Sequence, residues 1–203
     1  MTPIRVVLAD DQALVRGALA ALLDLEPDLE VVGQAEDGEH VARVVAETAP
    51  DVVLMDVEMP GGDGIDATAL LRERHPDVRV LVVTTFGRPG YLRRAMQAGA
   101  SGFVVKDTPA HALADAVRRV HAGLRVVDPA LAADSLALGD SPLTPRETEV
   151  LRAAESGATI AQLARTLHLS EGTVRNHLSS VIGKTTARNR ADAVRVAREA
   201  GWL

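Results

Sequence analysis

Hydrophobic residues in the first 122 positions of the chain follow two alternating patterns. Short apolar runs, typical of buried strands, alternate with longer stretches in which apolar residues recur at helical spacing. The patterns indicate strands at 4–9, 29–35, 52–55, 78–84 and 102–105 and helices at 14–25, 41–48, 65–74, 91–98 and 110–121. Strands that alternate with helices of this length are typical of βαβ units on a parallel sheet. We therefore predict an α/β domain.

The pattern changes after the fifth strand–helix unit. Periodicity fades in the next twenty positions, where glycine and proline recur, although 131–138 has the composition of a short helix. No strand pattern returns beyond this segment, and helical spacing indicates four helices at 145–155, 160–167, 171–183 and 190–200. The predicted organisation is an α/β domain at 1–122, a linker at 123–142 and a small all-α domain at 143–203.

Charge divides the chain in the same way. Residues 1–142 contain 13 Lys and Arg against 22 Asp and Glu, a balance of −9, whereas residues 143–203 contain 9 against 6, a balance of +3. An acidic module joined to a basic one suggests two tasks. The absence of cysteine excludes disulfides and thiolate metal sites. No apolar run approaches the roughly 18 residues of a membrane span, so we expect a cytoplasmic protein without membrane contacts.

Acidic residues stand at the ends of predicted strands. Asp56 follows the apolar run 52–55, and Asp10 and Asp11 follow the first strand. The carboxyl ends of parallel strands meet at one edge of a sheet, where ligands bind in such folds, so these carboxylates are expected to share a crevice. Like charges at close range would repel and become protonated unless a cation compensated them. Mg2+ fits best, because it prefers hard oxygen ligands in octahedral geometry.

Polar residues also end the fourth and fifth predicted strands, namely Thr84 and Lys106. With a metal neutralising charge, Asp56 can attack a phosphoryl donor and become an aspartyl phosphate. Lys106 would then pair with the phosphoryl oxygens, and the Thr84 hydroxyl would donate to one of them only after modification. Each residue alone has a structural explanation, such as Asp11 capping the first helix. Their joint position at four strand ends favours the chemical interpretation.

This set of residues resembles the signature of bacterial response-regulator receiver domains, over about residues 1–122. The resemblance implies a flavodoxin-like (βα)5 fold with strand order 2-1-3-4-5 and phosphorylation of Asp56 by a histidine kinase. It further implies that Mg2+ is bound by Asp11, Asp56 and the backbone carbonyl of Glu58, with Asp10 assisting through water. In the family a switch aromatic, matched here by Phe103, moves inward when the threonine, Thr84, is drawn to the phosphate. The proline usual after the lysine is absent, because Asp107 stands there.

The basic domain contains a helix-turn-helix pattern, with a tight turn at 168–170 and Ser170 as the N-cap of the second helix. On that helix Val174, Leu178 and either Val181 or Ile182 recur at helical spacing and are expected to face inward. The outer face then carries Gly172, Arg175, Asn176, Ser179 and Ser180. Arg can read guanine and Asn adenine in the major groove, and Lys184, Arg188 and Arg190 are placed for phosphates. A solvated charged face on a bundle helix is the structural alternative.

This domain resembles the LuxR-type DNA-binding domain of the NarL/FixJ subfamily, through the motifs at 143–147 and 170–177 and through Lys184. The resemblance implies that promoter double-stranded DNA is contacted by Thr173, Arg175, Asn176, His177, Ser179, Lys184 and Arg190. In the family Leu-Gly usually follows the lysine, whereas Thr185 and Thr186 follow it here. This departure is expected to loosen the end of the recognition helix.

Both resemblances together imply a DNA-binding response regulator of a two-component system, not an enzyme apart from Mg2+-dependent self-phosphorylation and autodephosphorylation at Asp56. Phosphorylation is expected to promote a homodimer whose two helix-turn-helix units meet an inverted repeat. The alternative is a Mg2+-dependent phosphatase of the haloacid dehalogenase kind, with Asp56 as nucleophile and Glu58 two positions on. That family places its acidic pair after the first strand and has no helix-turn-helix tail. An atypical regulator that needs no phosphate is disfavoured by the intact acidic pocket.

Overall fold

The computed structural model describes residues 2–60, 62–85, 87, 89–137 and 141–203. The chain forms two compact units, the first made of Met1–Gly87 and Tyr91–Ala133 and the second chiefly of Asp134–Leu203. Each unit has its own hydrophobic core. Within the described residues, no helix is long and apolar enough to cross a membrane.

A parallel sheet forms the centre of the first unit. The strands of this unit are β1 (Ile4–Ala9), β2 (Leu29–Ala35), β3 (Val52–Met55), β4 (Glu58–Met59), β5 (Gly62–Asp63), β6 (Arg79–Thr84), β7 (Gly102–Val105) and β8 (Val126–Val127). The main sheet has the order β2-β1-β3-β6-β7-β8, while β4 and β5 pair as a separate antiparallel hairpin. The five strands predicted from the apolar runs are present, and their predicted order is confirmed.

The sixth strand of the main sheet, β8, was not predicted. It pairs in parallel with β7 through Gly102↔Val126 and Phe103↔Val127. Two residues are too short to produce a recognisable alternation, so this strand shows no signal of its own in the sequence. It lies inside the segment 123–142 that was predicted to be a linker.

Helices cover both faces of the main sheet. They are α1 (Ala13–Leu23), α2 (Gly38–Thr48), α3 (Gly64–Arg74), α4 (Pro89–Gln97), α5 (Ala110–His121) and α6 (Pro129–Ala137). Successive residues of β1 face opposite sides: Val7 belongs to one apolar cluster, and Val6 and Leu8 belong to the other. This double burial explains why the strands are continuous apolar runs without polar alternation.

The helix expected at 131–138 is observed as α6. It begins at Pro129, and the Asp128 carboxylate accepts hydrogen bonds from the backbone amides of Ala130 and Leu131 at 2.8 and 3.2 Å. Pro suits a first helical position, because its missing N–H would have no helical partner there. The Leu131 side chain packs against the core of the first unit. Leu138, at the end of the predicted helix, lies outside the described residues.

The second unit contains the four predicted helices: α7 (Pro145–Ala153), followed by a 3-10 turn at Ala154–Ser156, α8 (Ile160–Thr166), α9 (Glu171–Lys184) and α10 (Arg190–Glu199). Each begins at a residue whose side chain accepts a hydrogen bond from a backbone amide of the first turn: Thr144, Thr159, Ser170 and Asn189. Such caps satisfy amides that have no partner within the helix. Of the predicted inward residues of α9, Val174, Leu178 and Val181 are buried in the core of this unit, whereas the alternative Ile182 is only partly buried against it.

Candidate functional site

Backbone hydrogen bonds bring the predicted acidic residues to one edge of the main sheet. The Asp56 amide, just beyond β3, donates to the carbonyl of Ala9 at 2.8 Å. The Asp10 amide, just beyond β1, donates to the carbonyl of Ala35 at 3.1 Å, which fixes it beside the end of β2. The Lys106 amide donates to the Thr84 carbonyl at 2.8 Å. The parallel ladder therefore places these side chains in one crevice, as predicted.

Lys106 holds two buried carboxylates. Its Nζ lies 2.7 Å from Asp10 Oδ2 and 2.8 Å from Asp56 Oδ2, and each aspartate is only 3% exposed. The second oxygen of each carboxylate accepts a backbone amide, from Val57 for Asp56 and from Gln12 for Asp10, at 2.7 and 2.9 Å. Each carboxylate oxygen has more than one acceptor position, so these contacts leave capacity for a further ligand.

The charge in this crevice is only partly compensated. Burial raises the pKa of Asp56 above its usual value; the hydrogen bond from Lys106 opposes this effect, whereas the nearby charge of Asp10 adds to it. For Lys106, burial lowers the pKa, but the hydrogen bonds to Asp10 and Asp56 outweigh burial and the net shift is upward. One lysine thus serves two carboxylates, and an additional cation would be bound favourably.

Asp11 completes a carboxylate cluster at the mouth of the crevice. Asp10, Asp11 and Asp56 each offer an oxygen within 4.8 Å of the others, and Asp11 is exposed. The structural explanation of Asp11 as the cap of α1 is wrong, because the capping position is Gln12 and no side chain caps this helix. Three hard oxygen donors around one point are the chemistry that Mg2+ prefers, so the residues present fit this ion.

Gly64 is a residue of the site that the sequence analysis missed. A Cβ atom at this position would lie 1.8 Å from the carbonyl oxygen of Asp56, so α3 can begin this close to the acidic residue only at a glycine. The Gly64 amide donates to the Val57 carbonyl at 2.9 Å. The preceding Asp63 caps α3 through the Ile65 amide. The signal in the sequence is the cluster of glycines that follows Pro60.

The two expected switch residues are buried near the same edge. Thr84 ends β6 and is 1% exposed, and it pairs in register with Val105, next to Lys106. Phe103 in β7 is completely buried in the apolar cluster on one face of the sheet. The aromatic side chain thus already points inward, in the position that the family resemblance assigns to the switched residue.

The second unit presents a helix-turn-helix. The α8 and α9 helices are joined by a turn in which His168 has a left-handed φ of 54°, and Ser170 Oγ accepts the Thr173 amide at 3.1 Å. On the outer face of α9, Arg175, Asn176 and Ser179 are exposed, while Thr173 and His177 are half-buried. Polar side chains on one exposed helix face can contact base edges in a major groove.

Comparison with known proteins agrees with the acidic crevice of the first unit and with the helix-turn-helix of the second. The family model of the response regulator receiver domain matches residues 6–118, and that of bacterial regulatory proteins of the luxR family matches residues 141–197. The chain belongs to the response regulators of NarL/FixJ type. It is a DNA-binding transcriptional regulator of a two-component system, as its relatives are.

The similarity to individual relatives extends over the whole chain. The uncharacterized transcriptional regulatory protein YvfU of Bacillus subtilis is 43% identical over 98% of this chain and all of its own length. The transcriptional regulatory protein DesR of the same organism is 40% identical over 98% of this chain and 99% of its own. Among solved structures, the response regulator ChrA of a heme-sensing two-component system is 35% identical, covers all of both chains and has a TM-score of 0.60.

Cations expected on DNA phosphates have partners inside the DNA-binding domain of this response regulator. Lys184 Nζ lies 2.7 Å from Glu147 Oε2. Arg190 Nη1 donates to the carbonyl of Ala158 at 2.6 Å. Arg188, whose side chain is 82% exposed, pairs with Asp192 at 3.0 Å. Asp192 also contacts Arg195 at 2.8 Å, so Arg188 can exchange its partner for another anion. The contact of Lys184 instead ties α9 to α7, and that of Arg190 ties α10 to the loop before α8.

The threonines that replace the usual Leu-Gly lie at the end of α9. The helix continues through Lys184, and the Thr185 hydroxyl donates to the Val181 carbonyl at 2.8 Å, one turn earlier. Thr185 is 4% exposed, so this bond satisfies a hydroxyl that would otherwise be buried without a partner. Thr186 adopts a left-handed φ of 52°, the conformation in which helices commonly end.

Proposed function

We propose that this response regulator is controlled by phosphorylation of Asp56, with a phosphohistidine of a sensor histidine kinase as the donor. The observation that carries the proposal is the contact of one lysine, Lys106, with two carboxylates that are each 3% exposed at the sheet edge. Buried groups of like charge with incomplete compensation are typical of functional sites rather than of structural ion pairs.

In the transfer step, one oxygen of Asp56 attacks the phosphorus of the phosphohistidine. A P–O bond forms and the P–N bond breaks; the electron pair remains on the imidazole nitrogen, which takes up a proton. Mg2+ would be held by Asp11, Asp56 and the Glu58 backbone carbonyl, with Asp10 assisting through water, and would supply the positive charge that allows an anionic phosphoryl group to approach these carboxylates. The Lys106 ammonium exchanges its contact with Asp56 for a phosphoryl oxygen. Attack of water on phosphorus later regenerates the carboxylate and releases phosphate.

The new phosphoryl oxygens change the hydrogen bonding at the end of β6. The Thr84 hydroxyl donates to one of them, and this arrangement is compatible with the buried position of Phe103. The modified receiver then forms a homodimer that brings two helix-turn-helix units to an inverted repeat. Base contacts come from the outer face of α9, from Thr173, Arg175, Asn176, His177 and Ser179. Arg190 would contact a phosphate only at the expense of its bond to Ala158.

The direct test is phosphotransfer from acetyl phosphate to the full chain, followed by intact-mass measurement. The parent protein is expected to gain one phosphoryl group in MgCl2 and none in EDTA, and Asp56→Ala is expected to gain none in either. The modified parent should elute as a dimer on size-exclusion chromatography. Labelling of Asp56→Ala equal to that of the parent would contradict the assignment.

The phosphatase alternative is tested with the same samples. Sustained turnover of a phosphate monoester such as p-nitrophenyl phosphate by the parent, and its loss in Asp56→Ala, would favour a hydrolase. We expect no turnover above that of the Asp56→Ala control. Asp56 follows the third strand in chain order, β3, which is not the position of the acidic pair in haloacid dehalogenases.

A further inference from the structure

Glu147 forms a hydrogen-bonded network that links the first and third helices of the DNA-binding domain. Its side chain belongs to a residue that is 5% exposed, near the start of α7. Oε1 accepts the Ser180 hydroxyl at 2.7 Å, and Oε2 accepts both Lys184 Nζ and the Thr144 amide at 2.7 Å. Three donors therefore converge on one carboxylate.

Ser180 and Lys184 are one helical turn apart and so lie on the same stripe of α9, the recognition helix. The contacts of Ser180 and Lys184 with Glu147 therefore fix two positions on one side of α9. They restrict both sliding of the helix along its axis and rotation about that axis. The exposed residues Arg175, Asn176 and Ser179 occupy the same helix. Their direction toward a DNA groove consequently depends on the contacts with Glu147.

We propose that Glu147 is the positioning residue of the recognition helix, and that Lys184 supports Glu147 within the domain instead of contacting a phosphate. The proposal rests on the DNA-binding function of this domain. It revises the sequence-based expectation for Lys184, which treated every cation near the end of α9 as a ligand of the DNA backbone.

Desolvation decides which partner Lys184 keeps. If its ammonium moved to a phosphate, the buried carboxylate of Glu147 would lose its only cationic partner among the described residues, and an uncompensated buried charge is strongly unfavourable. The Arg188 guanidinium is in a different situation. Its side chain is 82% exposed, and its partner Asp192, 10% exposed, also contacts Arg195 at 2.8 Å. Movement of Arg188 to a phosphate therefore leaves Asp192 with a cationic partner.

The number of phosphates contacted is measurable from salt dependence. The logarithm of the binding constant falls with the logarithm of salt concentration with a slope of about −0.9 per neutralised phosphate on duplex DNA. The probe is a fluorescein-labelled duplex selected from a random-sequence library by the full-length parent protein. The proteins compared are the parent, Glu147→Gln, Lys184→Met, the double variant E147Q/K184M and a matched control, Glu149→Gln.

We expect the neutral double variant to keep the slope of the parent. If Lys184 contacted a phosphate in the parent complex, the double variant would instead lose about 0.9 from the magnitude of the slope, and this outcome would overturn the proposal. Glu147→Gln alone should increase the magnitude of the slope by up to about 0.9, because it releases the Lys184 ammonium to contact a phosphate. The double variant leaves no unpaired buried charge, so it remains informative even where a single substitution prevents folding.

The positioning of the recognition helix by Glu147 is tested by a second measurement. This is the ratio of the affinity for the selected duplex to the affinity for a scrambled duplex. Glu147→Gln and the double variant are expected to lower this ratio about tenfold, the effect of one misaligned base contact. Glu149→Gln removes the same charge from the same helix, but it lies outside the network and pairs with Arg146 at the surface; its ratio should equal that of the parent. An unchanged ratio in the folded double variant would contradict the role of Glu147. Failure of the parent to select any duplex would instead contradict the proposed function.

Discussion

Two lysine–carboxylate contacts of similar length accompany opposite net shifts of the carboxylate pKa in the two domains. In the receiver, Lys106 Nζ lies 2.8 Å from Asp56, and the pKa of Asp56 is raised. In the DNA-binding domain, Lys184 Nζ lies 2.7 Å from Glu147, and the pKa of Glu147 is lowered to about 2. Distance between the charges therefore does not distinguish the two sites.

The difference lies in the number of donors for each carboxylate. Burial acts to raise the pKa at both sites. At Glu147, hydrogen bonds from Lys184, Ser180 and Thr144 outweigh burial. At Asp56, the lysine is shared with Asp10, whose charge adds to the effect of burial. A buried carboxylate with sufficient donors is a structural contact, whereas one with too few is prepared for a cation and a phosphoryl group.

The largest expected effect is that of Lys106→Met. This change leaves two adjacent buried carboxylates without a cation, and removal of one member of a buried pair costs about 3 kcal/mol of the free energy of unfolding. The loss should appear as faster hydrogen exchange in peptides covering β1 and β3. Saturating MgCl2 is expected to reverse most of it, because the metal provides the missing positive charge. If the variant were as stable as the parent in EDTA, solvent would already compensate the negative charge of the carboxylates in this crevice.

Glu147→Gln is expected to destabilise the DNA-binding domain by about 2 kcal/mol, the contribution of hydrogen bonds to a charged group. The single tryptophan, Trp202, is partly buried against the core of this domain, so its fluorescence reports the unfolding in urea. Glu149→Gln serves as the control, because its exposed partner Arg146 gives little stability. Equal losses in the two variants would mean that the network contributes nothing beyond surface charge.

The stability contributed by Glu147 should depend on pH in a defined window. Its folded-state pKa of about 2 lies below the ordinary value of 4.5, so the ionised form is favoured by folding. The stabilisation is therefore complete above about pH 4.5 and is lost as the pH falls toward about 2. Urea midpoints of the parent and Glu147→Gln, followed by Trp202 fluorescence, should converge over this range. A constant difference between them would contradict the ionic origin of the contact.

Asp56→Asn should have the opposite sign, and stabilise the receiver at neutral pH. A raised pKa means that folding disfavours the ionised carboxylate, and the amide removes that charge while its size is retained. The gain should decrease as the pH falls, because the parent then protonates Asp56. Hydrogen exchange of the β3 peptide measures both effects. A loss of stability at neutral pH would show that the contact with Lys106 outweighs burial.

The smallest effect on the unliganded protein is expected for Asp11→Asn. Asp11 is exposed, and substitutions at such positions usually change stability by less than about 0.5 kcal/mol. Stabilisation by MgCl2 should nevertheless weaken markedly, since one of the three clustered carboxylates is lost. Thermal unfolding with and without MgCl2, compared with Asp107→Asn outside the cluster, checks this point. An undiminished effect of MgCl2 would exclude Asp11 as a ligand.

The sequence by itself determined the architecture and the pocket of this protein. Continuous apolar runs require strands buried on both faces, and helical spacing between them requires a parallel sheet, whose strand ends must lie at one edge. Asp10, Asp56 and Lys106 followed directly from that rule. The inward face of α9 followed in the same way from periodicity, because local spacing alone decides which residues of a helix share a side.

Only the tertiary structure decided how charges are shared between elements distant in the chain. Lys184 has the spacing of a phosphate ligand, but folding places it on Glu147, 37 positions earlier. Gly64 is necessary because α3 starts against the carbonyl of Asp56, and β8 is a strand because β7 offers it a free edge. The physical reason is common to all three: burial and pairing are properties of the packed chain, and composition and periodicity carry no record of which partner a polar group will meet.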